Sequence, residues 1–235
     1  MKTETEHRHD IVRLGRMMHE RFLVAATDGN LSVRLEEDRI LATPTGVSKG
    51  MMSADDLVIV DYRGVVIDAE RNVSSEIGMH LAIYRLRPDV GAIVHAHPPT
   101  ATGFAAAGMA LDQPLVSEVV INLGSIPLAL YGTPGTPELA ASIEPLVPMH
   151  DAILLANHGA VTYGRDLLNA FMKMETVEHF ARIALTTHLL GRQCPLTAEQ
   201  ISRLAEVRDR YLASAAESPN NRDSIGITRH FSKES

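Results

Sequence analysis

Three histidines stand where their side chains could converge on one metal ion. His95 and His97 lie two residues apart in a short apolar segment, residues 91–97, that we predict to be a β-strand. Because alternate residues of a strand project from the same face, both imidazoles would point the same way. His158 follows another apolar segment and precedes Gly159, which allows a close approach of the backbone. Ordinary surface or core histidines give the same pattern, so these residues permit a nitrogen ligand set without requiring one.

Glu76 is the candidate carboxylate. It lies in the first turn of a helix that we predict to start at Ser74 and to end before Pro88, because proline disfavours helical geometry in the preceding residue. A carboxylate at this position is stabilised by the helix dipole, and it could equally serve as a base or as a fourth metal ligand. His80 lies one turn further along and could pair with Glu76, but we interpret His80 as structural.

Three turns could hold an anion. Backbone N–H groups in tight turns, together with a helix N-terminus, form a phosphate cradle without needing a basic patch. The candidate turns are Gly29-Asn30, Thr45-Gly46 and Ser74-Ser75. The same residues also form ordinary turns and helix caps that bind no ligand. Lys49 could add a positive charge, although a solvent-exposed lysine is the simpler interpretation.

Composition narrows the classes of function. The chain of 235 residues is 45% hydrophobic and 22% charged, which suits a packed core and excludes general disorder. It carries 22 Lys and Arg against 29 Asp and Glu, a net charge of -7 that argues against a nucleic-acid-binding surface. A single cysteine, Cys194, excludes an intramolecular disulfide and any multi-cysteine metal site. The polar start and the lack of an apolar run of about 18 residues predict a soluble, cytoplasmic protein without a membrane partner.

The sequence predicts both helices and short strands. Helical periodicity, caps and proline positions predict helices over residues 11–24, 74–87, 100–108, 136–146, 167–190 and 197–216. Apolar runs between turns predict strands over residues 31–35, 39–42, 57–61, 65–68, 91–97, 116–122, 126–131 and 152–156. Strands joined by short turns make the sheet at least partly antiparallel. We therefore predict one mixed α/β domain over residues 1–216, followed by a mobile tail over residues 217–235.

Five motifs together resemble one known family. The run T-D-G-N-L-S-V-R over residues 27–34 is similar to the T-x-G-N-[IVL]-S-x-R motif of the class II aldolase/adducin family. Four further motifs occur in the order and at the spacing typical of that family: T-P-T-G at 43–46, S-S-E at 74–76, H-A-H-P at 95–98 and N-H-G at 157–159. Within the family, the pattern is most similar to L-fuculose-1-phosphate aldolases rather than to ribulose-5-phosphate 4-epimerases.

The resemblance implies a fold, a cofactor and an assembly. The fold would be a three-layer mixed α/β domain whose central sheet is mainly antiparallel and flanked by helices. His95, His97 and His158 would hold a zinc ion, and Glu76 would be an acid/base that can also ligate the metal. The three turns named above would bind the substrate phosphate. Active sites would lie at the subunit interfaces of a four-fold symmetric homotetramer. Three histidines and a carboxylate also suit other divalent ions.

The expected reaction is reversible cleavage of a ketose 1-phosphate to dihydroxyacetone phosphate and an aldehyde. A zinc ion that binds the carbonyl and the neighbouring hydroxyl would stabilise the enediolate that cleavage leaves. Three other reactions use the same kind of site: epimerisation of a sugar phosphate, dehydration of the methylthioribulose-1-phosphate type and decarboxylation of an oxo-tetronate phosphate. A non-catalytic, adducin-like binding module is a further alternative, but adducin-type members lack the complete histidine set.

The second acid/base is the point at which this chain departs from the aldolase pattern. In fuculose-phosphate aldolases, a tyrosine supplied across the subunit interface protonates the oxygen on the aldehyde side. Alignment of the flanking residues puts Glu118 there, as in methylthioribulose-1-phosphate dehydratases, where a glutamate is the acid/base. Glu118 could therefore be the second acid, a dehydrating residue or an ordinary strand carboxylate. Tyr131 and Tyr211 are candidate replacements. Tyr211 lies on the last predicted helix, and the aldolases use a C-terminal tyrosine near the site.

Overall fold

The computed structural model describes residues 2–36 and 38–217, and in the last helix it describes only the backbone of residues 208, 209 and 211–217. The helices are α1 (Glu4–Glu20), α2 (Ile77–Leu86), α3 (Pro99–Ala106), α4 (Ser117–Asn122), α5 (Pro137–Ile143), α6 (Leu167–Leu189) and α7 (Ala198–Glu217), with a short 3-10 helix at Ala54–Asp56. The strands are β1 (Asn30–Arg34), β2 (Arg39–Ala42), β3 (Val58–Asp61), β4 (Val66–Asp68), β5 (Ala92–Ala96), β6 (Leu128–Ala129), β7 (Ala152–Leu155) and β8 (Gly159–Gly164).

The described strands form one eight-stranded sheet in the order β4-β3-β2-β1-β5-β8-β7-β6. Neighbouring strands run antiparallel except β6 and β7, which are parallel, so the sheet is mixed and mostly antiparallel. The centre of the sheet brings distant parts of the chain together. His95 of β5 pairs with Asn30 of β1 on one side and with Val161 of β8 on the other.

Helices cover both faces of the sheet, which gives three layers. In β5, Ala92, Val94 and Ala96 belong to a core shared with α1, α3 and α6, whereas Ile93 belongs to a second core shared with α2 and α5. This alternation follows from the two-residue period of a strand. His95 has the parity of Ile93, so its side chain leaves the face that carries α2 and α5.

One predicted strand was wrong, and one observed strand was not predicted. The strand predicted over residues 116–122 is instead helix α4, in which Val119, Val120 and Leu123 are buried. A short apolar run does not distinguish a strand from a buried helix, and here the packing against α6 and α7 decides. Strand β8 was not predicted, because all six of its residues are buried and the sequence shows no apolar–polar alternation.

Some boundaries also differ from the prediction. Helix α1 begins at Glu4, where Thr3 and Glu6 form a capping box, and it ends at Glu20 rather than at residue 24. Phe22 then adopts a left-handed backbone conformation with φ of 59°. Helix α2 begins at Ile77, so Glu76 is its N-cap residue and not part of its first turn. The start of α2 therefore leaves Ser74, Ser75 and Glu76 in the preceding turn.

The domain boundary and the tail stay predictions, and residues 218–235 lie outside the described part of the chain. None of the helices in residues 2–36 and 38–217 is both long and apolar enough to cross a bilayer.

Candidate active site

Three histidines meet at the ends of the central strands. His95 is the fourth residue of the five-residue strand β5, His97 follows the end of that strand, and His158 lies in the turn between β7 and β8. One potential ligand atom from each lies within 4.8 Å of the others. Among the described residues, these three histidines form the group that could hold a metal ion. Nε2 of His95 lies 3.1 Å from Nε2 of His97. The structure thus brings together the three histidines that the sequence singled out.

The backbone around the histidines leaves no space for larger residues. A Cβ at Gly159 would lie 2.5 Å from the carbonyl oxygen of Ala96 and 2.6 Å from Cδ2 of His97. A Cβ at Gly29, which has a φ of 71°, would lie 2.8 Å from the carbonyl oxygen of His95. Both glycines therefore permit the close approach of chains that sets the histidine positions.

Glu76 lies between two of the imidazoles. Its Oε2 is 3.2 Å from Nε2 of His95, and its Oε1 is 3.1 Å from Nε2 of His158. The second contact is close but is not a hydrogen bond. Burial would raise the pKa of the Glu76 carboxyl, but His95 and His158 outweigh it and hold that pKa well below its ordinary value. Glu76 is therefore an anion at neutral pH.

A backbone contact fixes the ring proton of His95, and the surroundings of His97 lower its pKa. Nδ1 of His95 lies 2.9 Å from the carbonyl oxygen of Ala160, which can only accept, so this nitrogen carries the proton. Nε2 of His95 is then free to bind a metal. Burial and the two neighbouring imidazoles lower the pKa of His97 to about 4, so its ring is neutral at pH 7. Imidazole nitrogens together with one carboxylate are a donor set that fits zinc.

The three predicted phosphate turns meet beside Glu76. Nδ2 of Asn30 donates to Oγ of Ser74 at 3.1 Å and to Oε2 of Glu76 at 2.8 Å. The backbone N–H of Ser74 donates to the carbonyl of Thr43 at 3.3 Å, and that of Thr45 donates to Asn72 at 3.0 Å. The turn around Thr45 and Gly46 therefore runs alongside the turn of Ser74 and Ser75, and Asn30 links that pair of turns to the histidine cluster.

Two residues near these turns were misread or missed in the sequence. Lys49 is buried, with 1% of its surface exposed, so the expectation of a solvent-exposed lysine was wrong. Its Nζ donates to the carbonyl oxygens of Thr27 at 3.0 Å and Val47 at 2.6 Å, and burial lowers its pKa to about 8. Asp28 was not considered as a site residue, yet its Oδ2 lies 3.4 Å from Nδ1 of His97. Only the fold reveals either contact.

Two of the candidates for a second acid/base are exposed to solvent. Glu118 is exposed in the first turn of α4, so the expectation of a strand carboxylate was wrong. Tyr131 is 59% exposed just after β6. Tyr211 lies in α7, and its side chain is outside the described residues. The roles of Glu118, Tyr131 and Tyr211 stay predictions.

Comparison with known proteins identifies the class to which this fold and site belong. The chain is a member of the class II aldolase and adducin family, since the model of the Class II Aldolase and Adducin N-terminal domain matches residues 9–185. The resemblance inferred from the five sequence motifs is thereby confirmed.

Similar proteins carry more than one activity in their names. A 3-oxo-tetronate 4-phosphate decarboxylase of Haemophilus influenzae is 35% identical over 189 residues, which cover 78% of this chain and 89% of that protein. A 5-deoxy-D-ribulose 1-phosphate aldolase of Bacillus thuringiensis is 35% identical over 209 residues, which cover 88% of this chain and 97% of that protein. A solved structure of an L-fuculose 1-phosphate aldolase matches with a TM-score of 0.81 and 34% identity, over 87% of this chain and 96% of that one.

Proposed function

We propose that this protein is a zinc-dependent lyase that reversibly cleaves a ketose 1-phosphate, of the fuculose-1-phosphate type, to dihydroxyacetone phosphate and an aldehyde. The observation that carries the proposal is the meeting of His95, His97, His158 and Glu76 at one point, with the turn of Asn30 and Ser74 next to it. A polar phosphate turn next to a potential metal site suits a substrate that carries its phosphate one carbon from a ketone.

The histidines would hold the metal. His95, His97 and His158 supply three nitrogen ligands, and manganese, cobalt or iron would also suit this donor set. When bound there, the ion supplies a Lewis acid that stabilises negative charge on the substrate oxygens as the carbon–carbon bond breaks. The family membership of the chain supports this assignment.

The phosphate would be bound by Gly29, Asn30, Thr45, Gly46, Ser74 and Ser75. These residues offer backbone N–H groups, an amide and hydroxyls, all of which can donate to phosphate oxygens. The side-chain N–H groups of Asn30 already point toward Ser74 and Glu76. An anion bound there would be oriented with its ketone toward the histidines.

Glu76 would move the proton at the reacting carbon. In cleavage, a base removes the proton of the aldehyde-side hydroxyl, the adjacent carbon–carbon bond breaks, and its electron pair enters the ketone to give an enediolate. Glu76, which rests as an anion, would first take up a proton from water and then deliver it to carbon, which yields dihydroxyacetone phosphate, while the base returns the hydroxyl proton to water. In the reverse direction, the carboxylate removes that proton. Glu118 or Tyr211 would act on the hydroxyl, with Tyr131 as a further candidate.

Decarboxylation is the second candidate function, favoured by the 35% identical decarboxylase. Loss of CO2 from 3-oxo-tetronate 4-phosphate leaves an electron pair on the carbon beside the ketone, and a proton from Glu76 would again give dihydroxyacetone phosphate. Both reactions thus share one enediolate and one product, and they differ in the group that leaves. An epimerase, a dehydratase and a non-catalytic adducin-like module are the remaining alternatives.

The assembly and the location are also proposals. We propose a homotetramer with active sites at subunit interfaces, which would allow a neighbouring subunit to supply the second acid/base. We also propose a cytoplasmic location, where sugar phosphates are available. Small-molecule sugar phosphates, rather than nucleic acid or membranes, would be the partners.

The test is the release of dihydroxyacetone phosphate from a panel of substrates, with CO2 measured in parallel. The panel contains the 1-phosphates of fuculose, ribulose, 5-deoxyribulose and methylthioribulose, together with 3-oxo-tetronate 4-phosphate. Each reaction is run with metal-loaded protein and again after a chelator, and Glu76→Gln serves as the inactive comparison.

Each result has a definite meaning. Chelator-sensitive release together with an aldehyde supports the aldolase, and release together with CO2 supports the decarboxylase. Metal-loaded protein that releases neither product from any member of the panel contradicts a carbon–carbon lyase and favours the epimerase or the dehydratase. Protein that binds no metal contradicts the whole proposal and favours the adducin-like module.

A further inference from the structure

Three polar residues of the first motif face one helix. Asn30, Ser32 and Arg34 alternate along β1, so their side chains leave the same face of the sheet. His80 and Tyr84 lie one turn apart on α2 and meet them there. Ser32 contacts both of these helix residues, and Arg34 lies with its guanidinium carbon 4.8 Å from the centre of the Tyr84 ring. Ser32, His80 and Tyr84 are buried and were given no role in the site described above.

These contacts form a continuous hydrogen-bonded chain that ends at Glu76. Oγ of Ser32 lies 2.9 Å from the hydroxyl of Tyr84 and 2.7 Å from Nδ1 of His80. Nε2 of His80 lies 2.6 Å from Oδ1 of Asn30, whose Nδ2 lies 2.8 Å from Oε2 of Glu76. We call this set of five residues the Tyr84–Glu76 chain.

The chemistry of its members allows only one direction of donation. A carboxylate only accepts, so the amide group of Asn30 that faces Glu76 must be the NH2 group. Oδ1 of Asn30 must then accept, and Nε2 of His80 must carry its proton. A neutral imidazole has one proton, so Nδ1 of His80 accepts from the hydroxyl of Ser32. Ser32 has then used its proton, and it accepts from the hydroxyl of Tyr84.

We propose that His80, Ser32 and Tyr84 are positioning residues that fix the orientation of the Asn30 amide, with its NH2 group toward the phosphate turn and its oxygen toward the protein interior. A flipped amide would place two acceptors, Oδ1 of Asn30 and the carboxylate of Glu76, against each other. It would also place two donors against each other at His80. The chain therefore keeps both N–H groups of Asn30 on the side of the phosphate turn, where they donate to Ser74 and Glu76 and where an incoming phosphate can replace Ser74 as the acceptor. This inference rests on the phosphate pocket of the proposed function.

A purely structural role predicts a different behaviour. His80 is 1% exposed and is hydrogen-bonded to Asn30 at the edge of the active-site region. If it merely filled space, an apolar residue of similar size would serve as well as a polar one. If it orients Asn30, only a residue that donates at the position of Nε2 preserves phosphate binding. Glutamine meets that condition, because its terminal amide reaches about as far as the imidazole Nε2, whereas leucine does not.

The first experiment compares His80→Gln with His80→Leu in metal-loaded protein, using inorganic phosphate as the probe and titration calorimetry as the readout. We expect His80→Gln to bind phosphate within about threefold of the unsubstituted protein, and His80→Leu to bind at least about tenfold more weakly, as for the loss of a hydrogen bond to a charged group. In turnover, the loss should appear mainly in KM. Thr162→Val, which removes a buried hydroxyl elsewhere in the sheet, controls for general destabilisation.

Equal phosphate affinity in the two His80 variants overturns the proposal, since the direction of donation would then not matter. Where His80→Leu does not fold, Ser32→Ala takes its place. It removes the donor to Nδ1 and frees the imidazole to adopt the other tautomer, so several-fold weaker phosphate binding is expected. Unchanged affinity in Ser32→Ala overturns the proposal in that case.

A second readout requires neither turnover nor phosphate. The 15N NMR signals of His80, assigned by their loss in His80→Gln, report which ring nitrogen carries the proton. The chain requires the Nε2–H tautomer, and an Nδ1–H tautomer or a charged ring contradicts it even in an active aldolase. Conversely, an Nε2–H tautomer in protein that binds no phosphate leaves the chain intact and refutes the phosphate pocket, so the two failures are distinguishable.

Discussion

Oε1 of Glu76 lies 3.1 Å from Nε2 of His158, although one residue caps helix α2 and the other lies in the turn between β7 and β8. These two elements are far apart in the chain. The contact exists because β8 pairs with β5, the strand that carries His95 and leads into His97. The site therefore depends on the order of the central strands as much as on the identity of its residues.

Removal of one imidazole should release the metal. We expect His158→Ala to bind zinc at least about tenfold more weakly and to lose activity in proportion, because a three-nitrogen set becomes a two-nitrogen set. Metal content after dialysis against a weak chelator measures the change. His179→Ala, at an exposed position on α6, is the matched control and should keep its zinc. Zinc retained to the same level in both variants would show that His158 is not a ligand.

The carboxylate at position 76 should matter for proton transfer more than for metal retention. We expect Glu76→Gln to keep the zinc, held by three histidines, and to lose about 100-fold or more in kcat, the usual contribution of a positioned acid/base. The direct measurement is the exchange of a carbon-bound hydrogen of dihydroxyacetone phosphate with deuterated water. Glu144→Gln, an exposed glutamate, should exchange at the unsubstituted rate. Undiminished exchange in Glu76→Gln would assign the proton transfer to another residue.

Buried His80 should make stability depend on pH. Burial, aided by His95, lowers the pKa of His80 from its ordinary 6.5 to about 3 in the folded protein. Below pH 6.5 the unfolded chain takes up a proton that the folded chain refuses, so stability falls as the pH drops toward about 3, by at most about 1.4 kcal/mol per pH unit for one group. Urea unfolding of chelator-treated protein at several pH values measures the slope. His80→Gln cannot titrate, so its slope should be shallower, and an identical slope would contradict the shift.

Gly159 should tolerate no side chain. A methyl group there would meet the carbonyl of Ala96 and the ring of His97, so β8 or the His97 turn must move. We expect Gly159→Ala to lower the free energy of unfolding by about 2 kcal/mol or more, as overpacking does. It should also reduce zinc affinity. Gly103→Ala is the control, because that glycine lies in helix α3 with open space around it. Thermal unfolding compares the two, and equal stability would contradict the clash.

The sequence predicted the parts of the site that depend on local patterns. The two-residue spacing of His95 and His97 predicts a shared face because strand geometry is local, and the five motifs predicted the family, which the comparison confirms. Burial of Lys49 could not be predicted, because one of its two acceptors, the carbonyl of Thr27, lies 22 residues earlier in the chain and is brought to it only by the fold. The same holds for α4, where a β-branched run forms a helix under the packing of α6 and α7.

The spread of the site along the chain has a consequence for biosynthesis. His95 hydrogen-bonds to Ala160, 65 residues later, and Asn30 bonds to Glu76, 46 residues later. Contacts of such long range form late in folding, because the closure entropy of the intervening loops must be overcome first. A nascent chain that still lacks β8 cannot pair the centre of the sheet, so the turn that carries His158 is not yet held beside His95. In the proposed metal site, the full ligand set would therefore be assembled only after the central strands have paired.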